Sequence, residues 1–356
     1  MNKKLLVLGA CLSVLLIMIA SCGSEQQPHP TLIVTDESPP QATLPAGQIP
    51  IIYDDDGSLD GTTALLYLIN HPQAYLEAVN ISYGESHPKI YIQHMGRMLD
   101  SFGITNIPLG FGQDSPLSGN NKFPEDVRQV SNAFWGLPIP NSNKTYTVHS
   151  APELIVSTIN QSPLPVTLFV SGPSTNLAQA LQLDPDIKAN IDSIYMMGGA
   201  INVPGNIHDF YPAHANEVAE WNFFADPQAA SEVFESGIDI YLIPLDATNQ
   251  VLVSRQDTVQ WRQGGEIADF AADIYDNMFN DWGVEHAEIW DLMTVAIMLK
   301  PDLCVFQPLN LRVRTEAGSA LGQTEIMPGE EANISVCLEP DVDLIRQNLI
   351  EVFSRK

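Results

Sequence analysis

Four aspartates lie within seven residues of each other near the start of the chain, and acids grouped in this way can bind a cation or activate water. Asp54, Asp55 and Asp56 end an apolar run, and Asp60 follows after a Gly-Ser turn. Like-charge repulsion makes such a cluster costly, so either a hard cation binds there or one acid keeps its proton. A helix cap with two solvated acids is the simpler explanation, but a cap requires only one acid. The cluster therefore predicts a functional site.

The residues on either side predict the elements that position these acids. Residues 50–53 form a short apolar run typical of a buried strand, and apolar residues from Ala64 to Ile69 recur at helical spacing. Asp60 stands where the cap of that helix is expected. The acids would then lie at the carboxyl end of a strand, the edge at which open α/β sheets bind ligands.

Strand followed by helix recurs along the rest of the chain. Further apolar runs typical of strands lie at 77–84, 166–170, 194–197 and 240–243. This alternation predicts an α/β fold with an open, mainly parallel, doubly wound sheet. We expect residues 48–356 to form a single domain. The polar segment 114–149 is expected to be a long functional or mobile loop.

The composition limits the choice of partners. The chain has 356 residues, of which 45% are hydrophobic, enough for a large core. Its formal net charge of −27 argues against nucleic acid as a partner, because the phosphates would be repelled.

The first 47 residues resemble an export signal followed by a tether. Two lysines precede an apolar run at 5–20, and small residues follow before Cys22. This order is typical of a signal peptide, residues 1–21, and the cysteine at the cut resembles a bacterial lipobox, in which Cys22 carries lipid. The polar residues 22–47 would form a flexible tether. An ordinary signal peptide or membrane anchor with an incidental cysteine is the alternative. The lipoprotein hypothesis predicts an exported protein that is lipid-anchored to a bacterial cell membrane.

Two further cysteines, Cys304 and Cys337, lie in apolar, strand-like surroundings near the C-terminus. A disulfide between them is permitted outside the cytoplasm, whereas two buried free thiols are the alternative. The sequence leaves both open.

Several shorter motifs follow the aspartates in order along the chain. They are Ser171 to Asn176, Met197-Gly198-Gly199, Asn206, Glu220-Trp221-Asn222, Asp226-Pro227 and Trp290-Asp291. With these motifs the chain resembles the inosine–uridine-preferring nucleoside hydrolase family over about residues 48–300. Trp221 and Trp290 are similar to tryptophans of the purine-preferring branch, in which indole rings stack on the base.

The resemblance implies hydrolysis of the N-glycosidic bond of ribonucleosides, with one Ca²⁺ that grips the ribose 2′ and 3′ hydroxyls. Asp56 matches the metal-ligating aspartate that also acts as general base on the attacking water, and Asp60 matches the aspartate that contacts the 2′ hydroxyl. Ser171 matches a ligand that binds through its main-chain carbonyl, and Asp291 matches the distal carboxylate ligand. Family members often form dimers or tetramers, so the resemblance also makes a homo-oligomer an expectation.

The remaining matches concern the sugar and the base. Asn206, Glu220 and Asn222 match residues that hold the ribose hydroxyls, and Glu85 falls where a residue near the base lies. Trp290 stands where the non-specific branch carries a histidine proposed as general acid, which favours stacking on the leaving base over proton donation. Carboxylates beside the sugar would stabilise the positive charge that develops as the bond breaks.

Gly61 departs from the family pattern, which has a metal-ligating aspartate directly after the one matched by Asp60. Shifting the frame by one residue would place Asp60 on that metal ligand and Asp55 on the base, at the expense of the helix match. Alternatively, Asp54 or Asp55 leans into the site and compensates. Two other hypotheses follow. One is a catalytically weak or inactive lipoprotein that binds nucleosides or ribose, and the other is a hydrolase of another N-ribosyl compound such as nicotinamide riboside.

Overall fold

A ten-stranded sheet forms the centre of the protein, with helices packed on its faces. The computed structural model describes residues 31–38, 44–139, 144–329 and 331–355. The strands are β1 (Leu32–Val34), β2 (Ile49–Asp55), β3 (Ala74–Ile81), β4 (Leu109–Phe111), β5 (Tyr146–Ser150), β6 (Val166–Val170), β7 (Ile191–Met197), β8 (Ile240–Ile243), β9 (Leu252–Ser254), β10 (His286–Glu288), β11 (Cys304–Leu309), β12 (Leu311–Val313), β13 (Thr324–Ile326) and β14 (Ile334–Pro340). The helices are α1 (Leu59–Asn70), α2 (Pro88–Ser101), α3 (Glu125–Asn132), α4 (Ala151–Gln161), α5 (Thr175–Leu183), α6 (Ile207–Phe210), α7 (Trp221–Ala225), α8 (Pro227–Phe234), α9 (Leu245–Thr248), α10 (Arg255–Trp261), α11 (Glu266–Asp281), α12 (Trp290–Leu299) and α13 (Val342–Phe353). Three short 3₁₀ segments lie at Phe134–Gly136, Pro185–Asn190 and Pro301–Leu303.

The strand order places β2 near the middle of the sheet. The order is β1-β5-β4-β3-β2-β6-β7-β8-β14-β11, and among these described strands β11 alone pairs antiparallel with its neighbour. Strands β3 to β5 extend to one side of β2, and β6 to β8 extend to the other. Between β2 and β6 the winding reverses, which creates the crevice where such sheets bind ligands. The predicted α/β fold with an open, mainly parallel, doubly wound sheet is confirmed.

Each face of the sheet packs against its own set of helices. On one face Leu65 of α1 and Tyr275 of α11 are fully buried, and on the other face Leu154 of α4 and Val233 of α8 are fully buried. Because both faces are covered, β2 is buried almost throughout and reads as a continuous apolar run rather than as an alternating one.

Ser58 caps α1, where Asp60 was expected to do so. The Ser58 Oγ accepts a hydrogen bond from the Gly61 N–H at 2.8 Å, and Asp60 lies in the first helical turn. A carboxylate in that turn is stabilised by the helix dipole. Since the cap is a serine, the Asp60 carboxylate is available for contacts with another element.

Part of the segment expected to be a tether is a strand. β1 pairs in parallel with β5 at one edge of the sheet, and its residues Ile33 and Val34 are exposed. The predicted signal peptide and Cys22 lie outside the described residues. Of the helices that the structure describes, none has the length and apolar character needed to cross a membrane.

A disulfide joins the last two strands of the sheet. Cys304 of β11 is bonded to Cys337 of β14, with the two Cα atoms 5.8 Å apart. Of the two alternatives that the sequence leaves open, the structure contains the disulfide.

The polar segment 114–149 is only partly a loop, because it contains α3 and most of β5. The predominantly polar helix α3 is held by buried polar groups rather than by an apolar stripe. Arg128 is 3% exposed and donates to the Ser86 carbonyl at 2.7 Å, and the Ser131 Oγ donates to the Gly57 carbonyl at 2.7 Å. A search for apolar periodicity misses a helix of this kind.

Candidate active site

Four aspartates are buried together where the end of β2 meets the first turns of α1 and α12. Asp55 and Asp56 are 0% and 2% exposed, and Asp60 and Asp291 are 7% and 4% exposed. The negative charges of the other three each act on Asp291, although α12 is far from β2 in the sequence. The fold therefore brings Asp56, Asp60 and Asp291 to one place, together with Asp55.

Asp56 is held by the chain that follows β3. Its Oδ2 accepts a hydrogen bond from the Glu85 N–H at 2.9 Å, and its main-chain carbonyl accepts from the Ser86 N–H at 2.9 Å. A side chain at Gly84 would collide with Asp56, since a Cβ there would lie 2.5 Å from the Asp56 Cβ. This close approach fixes the position of the carboxylate at the crevice.

Ser58 lies between the acids of α1 and α12. Its Oγ donates to Asp291 Oδ2 at 2.8 Å, and Asp60 Oδ1 and Asp55 Oδ2 are further acceptors at 3.3 and 3.5 Å. Asp60 Oδ2 also accepts from the Asp291 N–H at 2.8 Å. One hydroxyl has one proton and can serve only one of the three carboxylates at a time. Ser58 is not among the predicted site residues, although its place between acids at the start of a helix is a usable signal.

Burial raises the pKa of every acid in this group. The pKa of Asp55 is raised to about 6 and that of Asp60 to about 7, in both cases mainly because burial disfavours the charged form. Burial, followed by the charge of Asp55, raises the pKa of Asp56 well above its usual range. For Asp291 the causes are burial and then the charges of Asp60, Asp55 and Asp56. Glu85, which is half-buried, has its pKa raised by burial and then by Asp56.

The chemistry of this group fits a hard divalent cation. The side chains offer only oxygen ligands, and no ion pair in the described part of the chain neutralises Asp55, Asp56, Asp60 or Asp291. The acids are linked through the Ser58 hydroxyl and the Asp291 N–H, and no group of three or more acids, histidines or cysteines among the described residues has the spacing of a ready-made metal site. The carboxylate oxygens are therefore suitable metal ligands, but their side chains must move closer together to bind one ion.

On the other side of the crevice, Asn222 links two strand ends. Its Nδ2 donates to the Ser171 carbonyl after β6 at 3.1 Å and to the Met197 carbonyl in β7 at 3.3 Å. Ser171 in turn donates from its Oγ to Asp55 Oδ2 at 2.9 Å. Since a carbonyl has two lone pairs, the Ser171 oxygen keeps the capacity to accept a second partner.

Glu220 and Asn206 bond to the backbone around α7. The Glu220 carboxylate accepts from the N–H groups of Asn222 at 2.8 Å, Phe223 at 3.2 Å and Gly199 at 3.1 Å. The Asn206 Oδ1 accepts from the Trp221 N–H at 3.0 Å. Burial raises the pKa of Glu220 to about 7, although these three hydrogen bonds act against the rise. Glu220 and Asn222 thus lie at the start of α7, and Asn206, the residue before α6, is bonded to the same helix start.

The two tryptophans matched to base stacking have different surroundings. Trp221 is 2% exposed, and its ring stacks on Phe123 with the ring centroids 4.3 Å apart. Trp290 is half-buried at the start of α12, packs near Val203, and donates from Nε1 to Asn249 Oδ1 at 3.3 Å. Trp290 therefore exposes more of its ring to a ligand than Trp221 does.

A separate cavity of about 440 Å³ lies at the opposite end of β2. It is lined by Ile49, Pro50 and Thr167, and Asp192 is the single acid in its lining. Because it lacks the buried acids and lies at the amino-terminal edge of the sheet, we place the chemistry at the carboxyl edge.

The chain is similar to known hydrolases over most of its length. The model of the family described as inosine-uridine preferring nucleoside hydrolase matches residues 51–347, a longer span than the 48–300 expected from the motifs. The pyrimidine-specific ribonucleoside hydrolase RihA of Shewanella woodyi is 32% identical over 320 residues, covering 86% of this chain and 99% of that protein. The protein of the same name from Citrobacter koseri is 29% identical over 318 residues, covering 86% of this chain and 97% of that protein.

Solved structures give the same result for the fold. The purine-preferring ribonucleoside hydrolase from Gardnerella vaginalis superposes with a TM-score of 0.75 at 26% identity, covering 86% of this chain and 98% of that one. The inosine-uridine preferring nucleoside hydrolase from Bacillus anthracis gives a TM-score of 0.71 at 25% identity, covering 86% and 99%. With a family match over most of its length, this chain belongs to the inosine-uridine preferring nucleoside hydrolase family.

Proposed function

We propose that the protein hydrolyses the N-glycosidic bond of ribonucleosides and releases ribose and the free base. The observation that carries the proposal is the burial of Asp56, Asp60 and Asp291 in one group at the point where the winding of the sheet reverses. Membership of the nucleoside hydrolase family and the proximity of Asn222 to the same crevice support it.

We propose Ca²⁺ as the cofactor, held by Asp56, Asp60, Asp291 and the Ser171 carbonyl. When bound, it would supply a fixed point for the ribose diol and a positive charge that lowers the pKa of water. The unneutralised oxygen ligands described above support this assignment.

The residues of the chain account for the remaining steps. Asp56 takes a proton from the water that attacks the anomeric carbon, the C–N bond breaks with its electron pair moving to the base, and the departing base takes up a proton from solvent. The neighbouring carboxylates stabilise the positive charge on the sugar, as in other glycoside hydrolysis. Trp290 stacks on the leaving base. Asn206, Glu220 and Asn222 position the ribose, either directly or through the backbone that they hold.

Gly61 favours a second candidate, a protein that binds nucleosides without efficient turnover, because the helix lacks one acid there. Release of base from inosine, adenosine, guanosine, uridine, cytidine and nicotinamide riboside, with Ca²⁺ or with chelator, separates the two. We expect calcium-dependent turnover of at least one ribonucleoside. Tight binding without turnover, unaffected by the chelator, would replace the hydrolase with the binding protein.

The base preference is a separate question within this proposal. The resemblance to the purine-preferring branch rests on Trp221 and Trp290. Of these, Trp221 is stacked on Phe123 rather than free to stack on a base. The relatives named above are called pyrimidine-specific, while the Gardnerella vaginalis enzyme is called purine-preferring. We propose that Trp290 is the base contact, so Trp290→Ala should raise KM more than it lowers kcat for the preferred base.

We also propose that the protein is exported and anchored through lipid on Cys22. The signal-like first 21 residues and the Cys304–Cys337 disulfide support export, because disulfides persist in oxidising compartments. Labelling with a radioactive fatty acid in the bacterial host should be lost in Cys22→Ala. Equal labelling of the variant would exclude the anchor.

A further inference from the structure

Gly61 and Asp55 compete for the same volume beside the buried acids. A Cβ placed on Gly61 would lie 2.5 Å from the Asp55 Cγ and 2.6 Å from the Ser58 Oγ, and it would overlap the Asp55 carboxylate oxygen. Real side chains do not approach so closely. Therefore only one of positions 55 and 61 can place a side chain in this volume.

Asp55 fills that volume with a carboxylate that is held on two sides. Its Oδ1 accepts from the Gly57 N–H at 2.8 Å, and its Oδ2 accepts from the Ser171 Oγ at 2.9 Å. Its Oδ2 is also 3.5 Å from the Ser58 Oγ, the hydroxyl that donates to Asp291. Asp55 is fully buried, so it cannot relieve its charge by turning to solvent.

The neighbouring acid, Asp54, does not enter this volume. Its Oδ1 accepts from Asn176 Nδ2 at 2.8 Å, because successive side chains of β2 point to opposite faces of the sheet. Of the two acids that the sequence left as candidates for compensation, Asp55 is therefore the one placed beside Asp291 and Ser58.

We propose that Asp55 supplies from the end of β2 the carboxylate ligand that α1 lacks at Gly61. Gly61 leaves space for the Asp55 carboxylate, so the ligand comes from the end of the strand instead of from the helix. We call this replacement of one ligand position by the other the exchange. This inference rests on the proposed function, because it assigns Asp55 to the calcium site of that function. The alternative is that Asp55 only holds the Gly57 N–H and the Ser171 hydroxyl.

Calcium binding by the metal-free full chain, measured by calorimetric titration with CaCl₂, tests the assignment. Asp55→Asn keeps the shape of the side chain and removes its charge, and we expect the Kd for Ca²⁺ to rise about 10–100-fold. Asp54→Asn, the adjacent buried acid, and Asp192→Asn, an exposed acid at the other end of the sheet, should leave the Kd within about threefold of the original. An unchanged Kd in Asp55→Asn would overturn the inference.

A transfer variant separates ligation from a purely structural role. Asp55→Ala combined with Gly61→Asp moves the carboxylate from the strand to the helix: alanine has no γ atom to meet the new side chain, and Gly61 has no left-handed backbone that would resist one. We expect this variant to recover Ca²⁺ binding to within about fivefold of the original, which a structural role for Asp55 alone would not allow. Gly61→Asp alone should melt at a lower temperature, because two carboxylates then compete for one volume.

The outcomes also distinguish this inference from the proposed function. Failure of the folded transfer variant to bind Ca²⁺, with hydrolysis by the unaltered protein intact, would overturn the exchange and leave the function standing. Absence of both Ca²⁺ binding and hydrolysis in the unaltered protein would overturn both.

Discussion

The two sides of the crevice differ in how fully their polar groups are hydrogen-bonded. On the acid side, Asp55, Asp56, Asp60 and Asp291 present more acceptors than there are donors to serve them, and Ser58 offers one proton to three carboxylates. On the amide side, Asn222 and Glu220 are bonded to backbone groups through most of their polar atoms. The acid side therefore has acceptors to spare, whereas the polar groups of the amide side are largely used in holding strand ends together.

The largest expected effect follows from changing Asp56, the proposed general base on the acid side. Asp56→Ala should lower kcat by about 10³-fold, because the attacking water loses its proton acceptor. Steady-state release of base at saturating Ca²⁺ measures the effect, with Asp192→Ala as the matched control at an exposed acid. Normal hydrolysis by the folded Asp56→Ala variant would show that the base has been assigned to the wrong residue.

The stability of the metal-free protein should depend on pH through the buried acids of the acid side. Burial raises the pKa of Asp55 to about 6 and of Asp60 to about 7, against about 3.9 in an unfolded chain. An acid with a raised pKa stabilises the fold below its unfolded pKa, and this contribution is lost as pH rises through the folded pKa. The free energy of unfolding should therefore fall by about 1–4 kcal/mol between pH 4.5 and pH 8.

Thermal unfolding with chelator, and again with excess CaCl₂, measures this dependence. We expect Ca²⁺ to restore at pH 8 the part of the loss that comes from Asp55 and Asp60, because it offsets the repulsion between those carboxylates. The part that comes from Asp54 and Glu220, whose pKa values burial also raises to about 7, should remain. Asp60→Asn should reduce the fall, while Asp192→Asn should not. Stability that is constant or rises over this range would mean that the buried acids are already compensated without an ion.

A smaller effect is expected from the amide side, and it should not depend on the ion. Asn206→Ala, on the same side of the crevice, leaves the Trp221 N–H without its acceptor, which should cost about 1–3 kcal/mol in the free energy of unfolding. Urea unfolding with and without Ca²⁺ measures it, and Asn202→Ala, at an exposed position, is the control. If the loss disappeared in Ca²⁺, the two sides would not be separate in the way we describe.

Local patterns were sufficient to predict the elements around the acids. The apolar run of β2, the aspartates and the helical spacing of α1 are adjacent in the sequence, and their placement at the carboxyl edge follows from parallel topology. Asp291 could be joined to them only through the family resemblance, because no local pattern shows which distant helix will pack there. The proximity of Asp291 to Asp60 is a product of tertiary packing.

Other features depended on contacts that sequence periodicity does not contain. The three-residue strand β1 lies in a polar, proline-containing stretch and is formed by pairing with β5. The stacking of Trp221 depends on Phe123, a residue in a loop whose position is set by the whole fold. The sequence also leaves open which of Asp54 and Asp55 lies against Gly61, because the direction of each side chain depends on strand geometry.

Strand β1 also bears on how the protein would stand on a surface. It runs parallel to β5, so the chain enters it at Leu32 from the end of the sheet opposite to the acids. If lipid is attached at Cys22, the ten residues from there to Leu32 can reach at most about 35 Å. The attachment would then join the domain at the end of the sheet opposite to the acids, so it would not cover the mouth of the crevice.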